Sequence, residues 1–477
     1  MEKRETWAEP GPAWSGAGRW LRLRDALVTL LLILLFHDLF IRILGTELAP
    51  LLTGFRIPPL PWRDAVLLAL LLMGVWRMAA DPTWRRRFAV PYVWWQVVCL
   101  LVCAAFLSLQ LDSMAQANEI KGLLYPLLAF GTGILTGFDW RKVRAALLVI
   151  AAVNIAAALI ISLLFMDQYR LWMDAYRTVF GESAALTFGK FEQLVVVPMP
   201  LILERTVMTA LFVVAGAIAW HQTLSGRATL RLRIAYALLA AGSLYMVLAS
   251  FSRGGILTMF AIYIWLYVVW AIKCSRSAPV PTAWAARAIV LALAAVLSVG
   301  LLTAVAVRNA YGIDLLDPTN LISATRAGRI TIWSRVADDI TRQHGWLTGI
   351  KPSYRTARAS IVFGARGGQA WSEWAYYTVD NAYLYIVMHG GLFALAALLA
   401  FVTLAAVQLA RRGLQPELAV LVSGCLIWWM LATSPLIVAL ALLIGGGRLG
   451  NLELAPPAVE PAATVSQHSA HPALQRG

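Results

Sequence analysis

Apolar runs close to 20 residues long recur along almost the whole of this 477-residue chain, and they leave few folds open. A run of that length matches the hydrocarbon thickness of a bilayer when it is helical. Hydrophobic residues make up 60% of the sequence and charged ones 14%, with a mean hydropathy of +0.70. No water-soluble core hides that much apolar surface. Backbone groups in lipid must pair within their own segment, so runs this apolar are helices. The expectation is an all-α polytopic integral membrane protein of about twelve transmembrane helices.

Spans read near 25–43, 63–79, 90–109, 120–138 and 143–165, then 206–220, 233–250, 254–272 and 284–307. After a long polar segment come 381–410 and 418–444. Ser434-Pro435 interrupts the last, which is one kinked span or two short ones, because proline removes a helical hydrogen bond. The even span count favours two short helices that return the chain. The divisions are therefore a cytoplasmic tail over 1–24, nine helices over 25–307, a periplasmic helical loop over 308–380, the last helices over 381–447, and a disordered tail over 448–477. The polar start precedes a full-length span, which resembles an uncleaved first helix more than a signal peptide.

The net charge of +15 sits in the loops. Arg85-Arg86-Arg87, Arg141 with Lys142 and Arg144, Arg227 with Arg231 and Arg233, Lys273 with Arg276 and Arg287, and Arg411-Arg412 fall on every second loop. That alternation makes those loops cytoplasmic and explains the basic balance without nucleic acid; membrane lipids are the simpler partner. The opposite face then carries 166–205, the turn at Arg253, and 308–379.

The external segment is a small module. Ile330, Ile332, Trp333, Val336 and Ile340 fall close to helical spacing over 327–343, and Gly345–Gly349 ends the helix. The aromatic patch of 370–377 fits either an interfacial belt or a sugar-stacking surface. Among candidate chemical groups, no metal motif appears. Gly445-Gly446-Gly447 lacks the lysine and hydroxyl of a phosphate-binding loop. The four cysteines form no framework and read as packing residues, Cys99 and Cys103 on one helix face. His468 and His471 sit in the polar tail.

What remains is an external arginine group. Arg205 ends one span, Arg253 lies in the Ser252-Arg253-Gly254-Gly255 break between two apolar runs, and Arg329 begins the loop helix; Asp380-Asn381 marks re-entry into the membrane. Arginines at an interface either snorkel to headgroups and pair with Glu204 or Asp338, or bind a pyrophosphate as forked donors. A carboxylate beside them suits deprotonation of a hydroxyl.

Three motifs on that face resemble the O-antigen ligase/polymerase family of bacterial envelope glycosyltransferases. Ser252-Arg253-Gly254-Gly255 resembles its Ser-Arg-Gly signature. Gly328-Arg329-Ile330-Thr331-Ile332-Trp333, followed by Leu347-Thr348-Gly349, resembles its Gly-Arg-x-x-x-Trp helix. Asp380-Asn381-Ala382-Tyr383-Leu384, followed by Gly390-Gly391-Leu392, resembles its His-Asn-x-Tyr-Leu re-entry motif. The match covers about 231–409; the amino-terminal half matches only in hydropathy.

The resemblance implies an inner-membrane enzyme that takes a glycan from undecaprenyl pyrophosphate on the periplasmic face. The acceptor is lipid A–core for a ligase or another lipid-linked repeat for a polymerase. No metal or cofactor is implied, because the pyrophosphate is itself the leaving group. Carried over, Arg253 and Arg329 engage the pyrophosphate, Arg205 is a third contact, and Asp380 is the base; Ser252, Gly254, Trp333, Asn381 and Tyr383 support them. Asp380 is a departure, since ligases carry histidine there and an aspartate with an ordinary pKa of about 3.9 is a weaker base. That weakens the ligase relative to a polymerase or another exopolysaccharide transferase. His389 and His344 are other base candidates, each read more simply as an interfacial histidine. The alternative function is a transporter or flippase of lipid-linked glycans, which would need charges along a path through the membrane.

Overall fold

Hydrocarbon leaves a backbone no partner but itself, and every apolar run described in the computed structural model is helical. The structure describes residues 17–43, 62–81, 91–109, 114–169, 171, 205–225, 228–249, 253–277, 331–350, 381–425 and 436–452. Within these, 92% of the chain is helical and none is in a strand. The helices are α1 (Ala17–Ile43), α2 (Trp62–Ala80), α3 (Pro91–Ser108), α4 (Met114–Thr136), α5 (Trp140–Leu164) and α6 (Arg205–Ser225). There follow α7 (Leu230–Ala249), α8 (Arg253–Ser277), α9 (Thr331–Arg342), α10 (Ala382–Arg411), α11 (Gln415–Ser423) and α12 (Leu436–Leu452). Five of them, α5, α6, α7, α8 and α10, are long and apolar enough to cross a membrane. The expected span at 284–307 lies outside the described residues.

The bundle is built around α6. Its side chains are buried on every side from Val207 to Ala219, as a helix apolar all round requires. It packs against α1, α5, α7, α8, α11 and α12. Trp220 stacks on Tyr263 of α8, ring centroids 5.4 Å apart, and its indole N–H donates to the Tyr263 carbonyl at 3.2 Å. The Tyr263 hydroxyl donates in turn to the Ala240 carbonyl of α7 at 2.9 Å. At the periphery, α5 turns Val149, Val153, Ile160 and Leu163 outward and α7 turns out Ile234 and Leu238. Exposed aliphatic faces along long helices belong in hydrocarbon.

Charges collect at one end of the bundle. Arg24 is 2% exposed; it donates to Asp25 Oδ1 at 2.9 and 2.7 Å and to the Gly137 carbonyl at 2.5 Å. Lys142 reaches Asp25 Oδ2 at 2.5 Å, and the guanidinium groups of Arg24 and Arg77 both lie over the Trp20 ring, at 5.4 and 4.3 Å. These contacts explain why α1 begins at Ala17 rather than where the apolar run starts at Asp25: the charged turns are packed, not dangling. Arg448 pairs with Glu417 at 2.9 Å and covers the Trp140 ring. The end of α12 therefore meets the start of α11, and the chain doubles back between them. Of the two arrangements left open by Ser434-Pro435, which lie outside the described residues, this is the pair of short helices.

The Gly445-Gly446-Gly447 triplet packs α12 onto α4. A Cβ at Gly446 would stand 2.5 Å from the Phe130 carbonyl oxygen, and one at Gly133 of α4 2.5 Å from the Leu443 oxygen. Only hydrogen fits at either place. All four cysteines are free thiols, Cys103 and Cys425 buried.

Candidate functional site at the end opposite the charge cluster

Helix direction decides which residues share a face. Gly216 and Trp220 of α6 meet Met259 and Tyr263 of α8 in the same order along both chains, so the two helices run parallel. The end of α6 lies at the charged end, where Arg233 at the start of α7 donates to the Thr223 carbonyl at 3.3 Å. The starts of α6 and α8 therefore share the opposite end. Arg205 is the first residue of α6 and Arg253 the first of α8. The half of α10 after Gly391, where the helix breaks, also runs from that end toward the charged one, because it finishes at Arg411 just before α11 begins. One helix, α11, packs against α6, α8 and α10 from the charged end. Each helix start carries about half a positive charge from its unpaired N–H groups, and those of α6 and α8 add an arginine.

Asn381 caps α10: its side-chain oxygen accepts from the Leu384 N–H at 3.1 Å. Tyr383, half-buried, is an electrostatic neighbour of Cys425 just past the end of α11. Gly254 and Gly255 are buried in the first turn of α8. Trp333 sits on the apolar face of α9 with Val336 and Ile340, both fully buried; its indole N–H has no hydrogen-bond partner among the described residues. Ser252, Arg329 and Asp380 lie outside the described residues. His389 is buried and meets the Tyr385 ring edge-on at 4.5 Å, whereas His344 is exposed. No group of His, Cys, Asp or Glu able to hold a metal occurs among the described residues.

The end of α9 is built as a Schellman turn. Gly345 N–H donates to the Ile340 carbonyl at 2.9 Å and His344 N–H to that of Thr341 at 3.1 Å. His344 takes the left-handed position, φ 54°, where glycine is usual. Replacing His344 with glycine is expected to stabilise this turn by about 1 kcal/mol, because an L side chain costs that much there. Slower amide exchange at Gly345 would show it; unchanged or faster exchange would refute it.

Two features escaped sequence reasoning. Arg63, at the start of α2 and so at the same end, lies over the Tyr125 ring at 5.6 Å with Asp64 3.9 Å away. A cation at a span start was its only signal. The second is that α10 is not one straight span. At Gly391 the backbone turns to φ 68°, ψ −172°, and the helix breaks. The half before the break is largely buried from Ala382 to Gly391. The half after it, roughly 30 Å long, exposes Leu392, Phe393, Leu399 and Val407 and alone matches a bilayer. The turn after α9 docks on the break: Leu392 N–H donates to the Trp346 carbonyl at 2.7 Å, and Ile350 N–H to that of Met388 at 2.8 Å. The Leu347-Thr348-Gly349 and Gly390-Gly391-Leu392 segments, 40 residues apart in sequence, are thus in contact. Glycines marked both places, but nothing in the sequence paired them. No protein-family model matches the chain, and no curated protein matches it.

Proposed function

We propose that the chain is a metal-independent glycosyltransferase similar to the O-antigen ligases and polymerases, acting on a glycan carried by undecaprenyl pyrophosphate. The observation that supports this most is that Arg205 and Arg253 open α6 and α8, two parallel helices that start at one end of the bundle. Helix starts and arginines together suit a polyanion buried at a membrane face. In the proposed step an acceptor hydroxyl attacks the anomeric carbon, with inversion. The bond from that carbon to the pyrophosphate oxygen breaks, and the electron pair leaves with the pyrophosphate. Asp380 takes the hydroxyl proton, Arg253 and Arg329 stabilise the departing charge, and Arg205 is a third contact. Ser252, Gly254, Trp333, Asn381 and Tyr383 support these groups. With about twelve spans, the charged end faces the cytoplasm by the positive-inside rule and the site faces the periplasm in the bacterial inner membrane.

A second reading, movement of the lipid-linked glycan, draws on the break in α10, since broken helices are frequent in transporters. Purified protein in vesicles with an undecaprenyl pyrophosphate-linked oligosaccharide separates the two. Glycan transferred to acceptor, with carrier pyrophosphate released, supports the enzyme. Carrier that crosses the bilayer with its glycan intact refutes it and supports the flippase. Between the two enzymes, loss of the gene should leave long chains on the carrier if it is a ligase, and single repeats if it is a polymerase.

A further inference from the structure

A helix that breaks inside a bundle strands backbone groups, and these must find partners where water is scarce. At the break in α10 the partners come from the turn after α9. Trp346 and Leu347 carbonyls accept from Leu392 and Phe393 N–H at 2.7 and 3.5 Å, and the Met388 carbonyl accepts from Ile350 N–H at 2.8 Å. Two left-handed glycines make the approach possible: Gly349, φ 84°, and Gly391, φ 68°. A Cβ at Gly349 would stand 2.6 Å from the backbone of His389, and one at Gly391 would overlap the Leu347 carbonyl. The backbone angles at Gly391 are also closed to any L side chain. Both obstacles are backbone, so neither yields by turning a side chain. The turn is further fastened to α9 by Trp346, whose indole donates to Thr341 Oγ1 at 3.0 Å.

We propose that Gly349 and Gly391 form a backbone lock that positions α9, and with it Trp333, against the break in α10, and that the lock stays closed through each turnover; this rests on the transfer reading above. It makes the external helix and the half-helix of Asn381 and Tyr383 one rigid piece. The two glycines are positioning residues that touch no substrate.

The test uses the full chain in vesicles with a lipid pyrophosphate-linked oligosaccharide as donor. In Gly349→Ala and Gly391→Ala, amide exchange at Ile350 and Leu392 should quicken about tenfold. kcat should fall on the order of 100-fold with KM for the donor within about threefold, since a displaced site loses rate more than binding. Gly413→Ala is the control: its left-handed backbone, φ 69°, strains its own turn by about 1 kcal/mol, but with open space around it the exchange at Ile350 and Leu392 and the kcat should stay as in wild type. A Leu347→Cys/Phe393→Cys pair, which keeps both glycines, should cross-link under oxidation and retain its turnover. Failure to cross-link, or turnover lost on cross-linking and restored by reductant, overturns a lock that stays closed. Wild-type transfer with unaltered kcat in both alanine variants overturns the positioning role alone. Wild-type protein that transfers nothing overturns the transfer reading itself.

Discussion

Arg253→Ala is expected to lower glycan transfer by roughly 10²–10³-fold while the protein still inserts and folds. Arg253 opens α8 with Gly254 and Gly255 buried behind it, and α8 packs on the central helix α6. Its backbone place is set by that packing, so removing the side chain deletes charge and forked donors without moving the helix. In the proposed transfer the charge to be stabilised is greatest as the pyrophosphate departs, so the loss belongs to the rate of the chemical step more than to donor binding. Arg253→Lys keeps the charge but not the planar fork, and should recover only part of the rate. The measurement is release of carrier pyrophosphate by purified variants in vesicles, with circular dichroism to verify folding. Normal rates in Arg253→Ala would remove the catalytic reading of this arginine and return it to a headgroup contact.

Arg448→Ala is expected to cost stability rather than chemistry, by about 3–5 kcal/mol. Glu417 is 4% exposed and its Oε1 accepts from Arg448 Nη1 at 2.9 Å. Without the guanidinium a carboxylate is left buried and unpaired, which costs far more than the intact pair contributes. Glu417→Gln in the same chain should restore most of the loss by removing the stranded charge. Denaturant unfolding in detergent micelles tests both: equal stability of wild type and Arg448→Ala would mean that the pair is not what holds the ends of α11 and α12 together. The same variant should also loosen the Trp140 ring, which Arg448 covers at 5.3 Å.

The helical class was legible because hydropathy is a sum over many residues, and lipid forbids the alternatives. The limits of α2, α3 and α7 came within about three residues of the apolar runs, as did those of α5 and α8 apart from α8's extra turn at its end. The start of α1 did not, since an arginine-bearing turn reads as polar tail until Arg24 is seen to be buried against Asp25 and Gly137. For the last apolar stretch, Ser434-Pro435 announced an interruption, but the return of the chain was carried by one ion pair between residues 31 apart. Of the candidate site, Arg205 and Arg253 were readable as cations at span ends. That α6 and α8 run parallel and start together needed the contacts of Gly216 and Trp220.

By itself the sequence determined that this chain is helical, which stretches are apolar enough for a bilayer, and which side of each span carries arginine. Those properties depend on neighbours along the chain. Tertiary structure decided that α6 is the buried axis, that α6 and α8 start at one end, and that α10 is two half-helices joined at Gly391 and held by a turn from α9. Such facts rest on backbone groups and glycine hydrogens meeting across tens of residues. Hydropathy carries no record of those meetings, because a glycine that clears a carbonyl and a glycine in open space are the same letter.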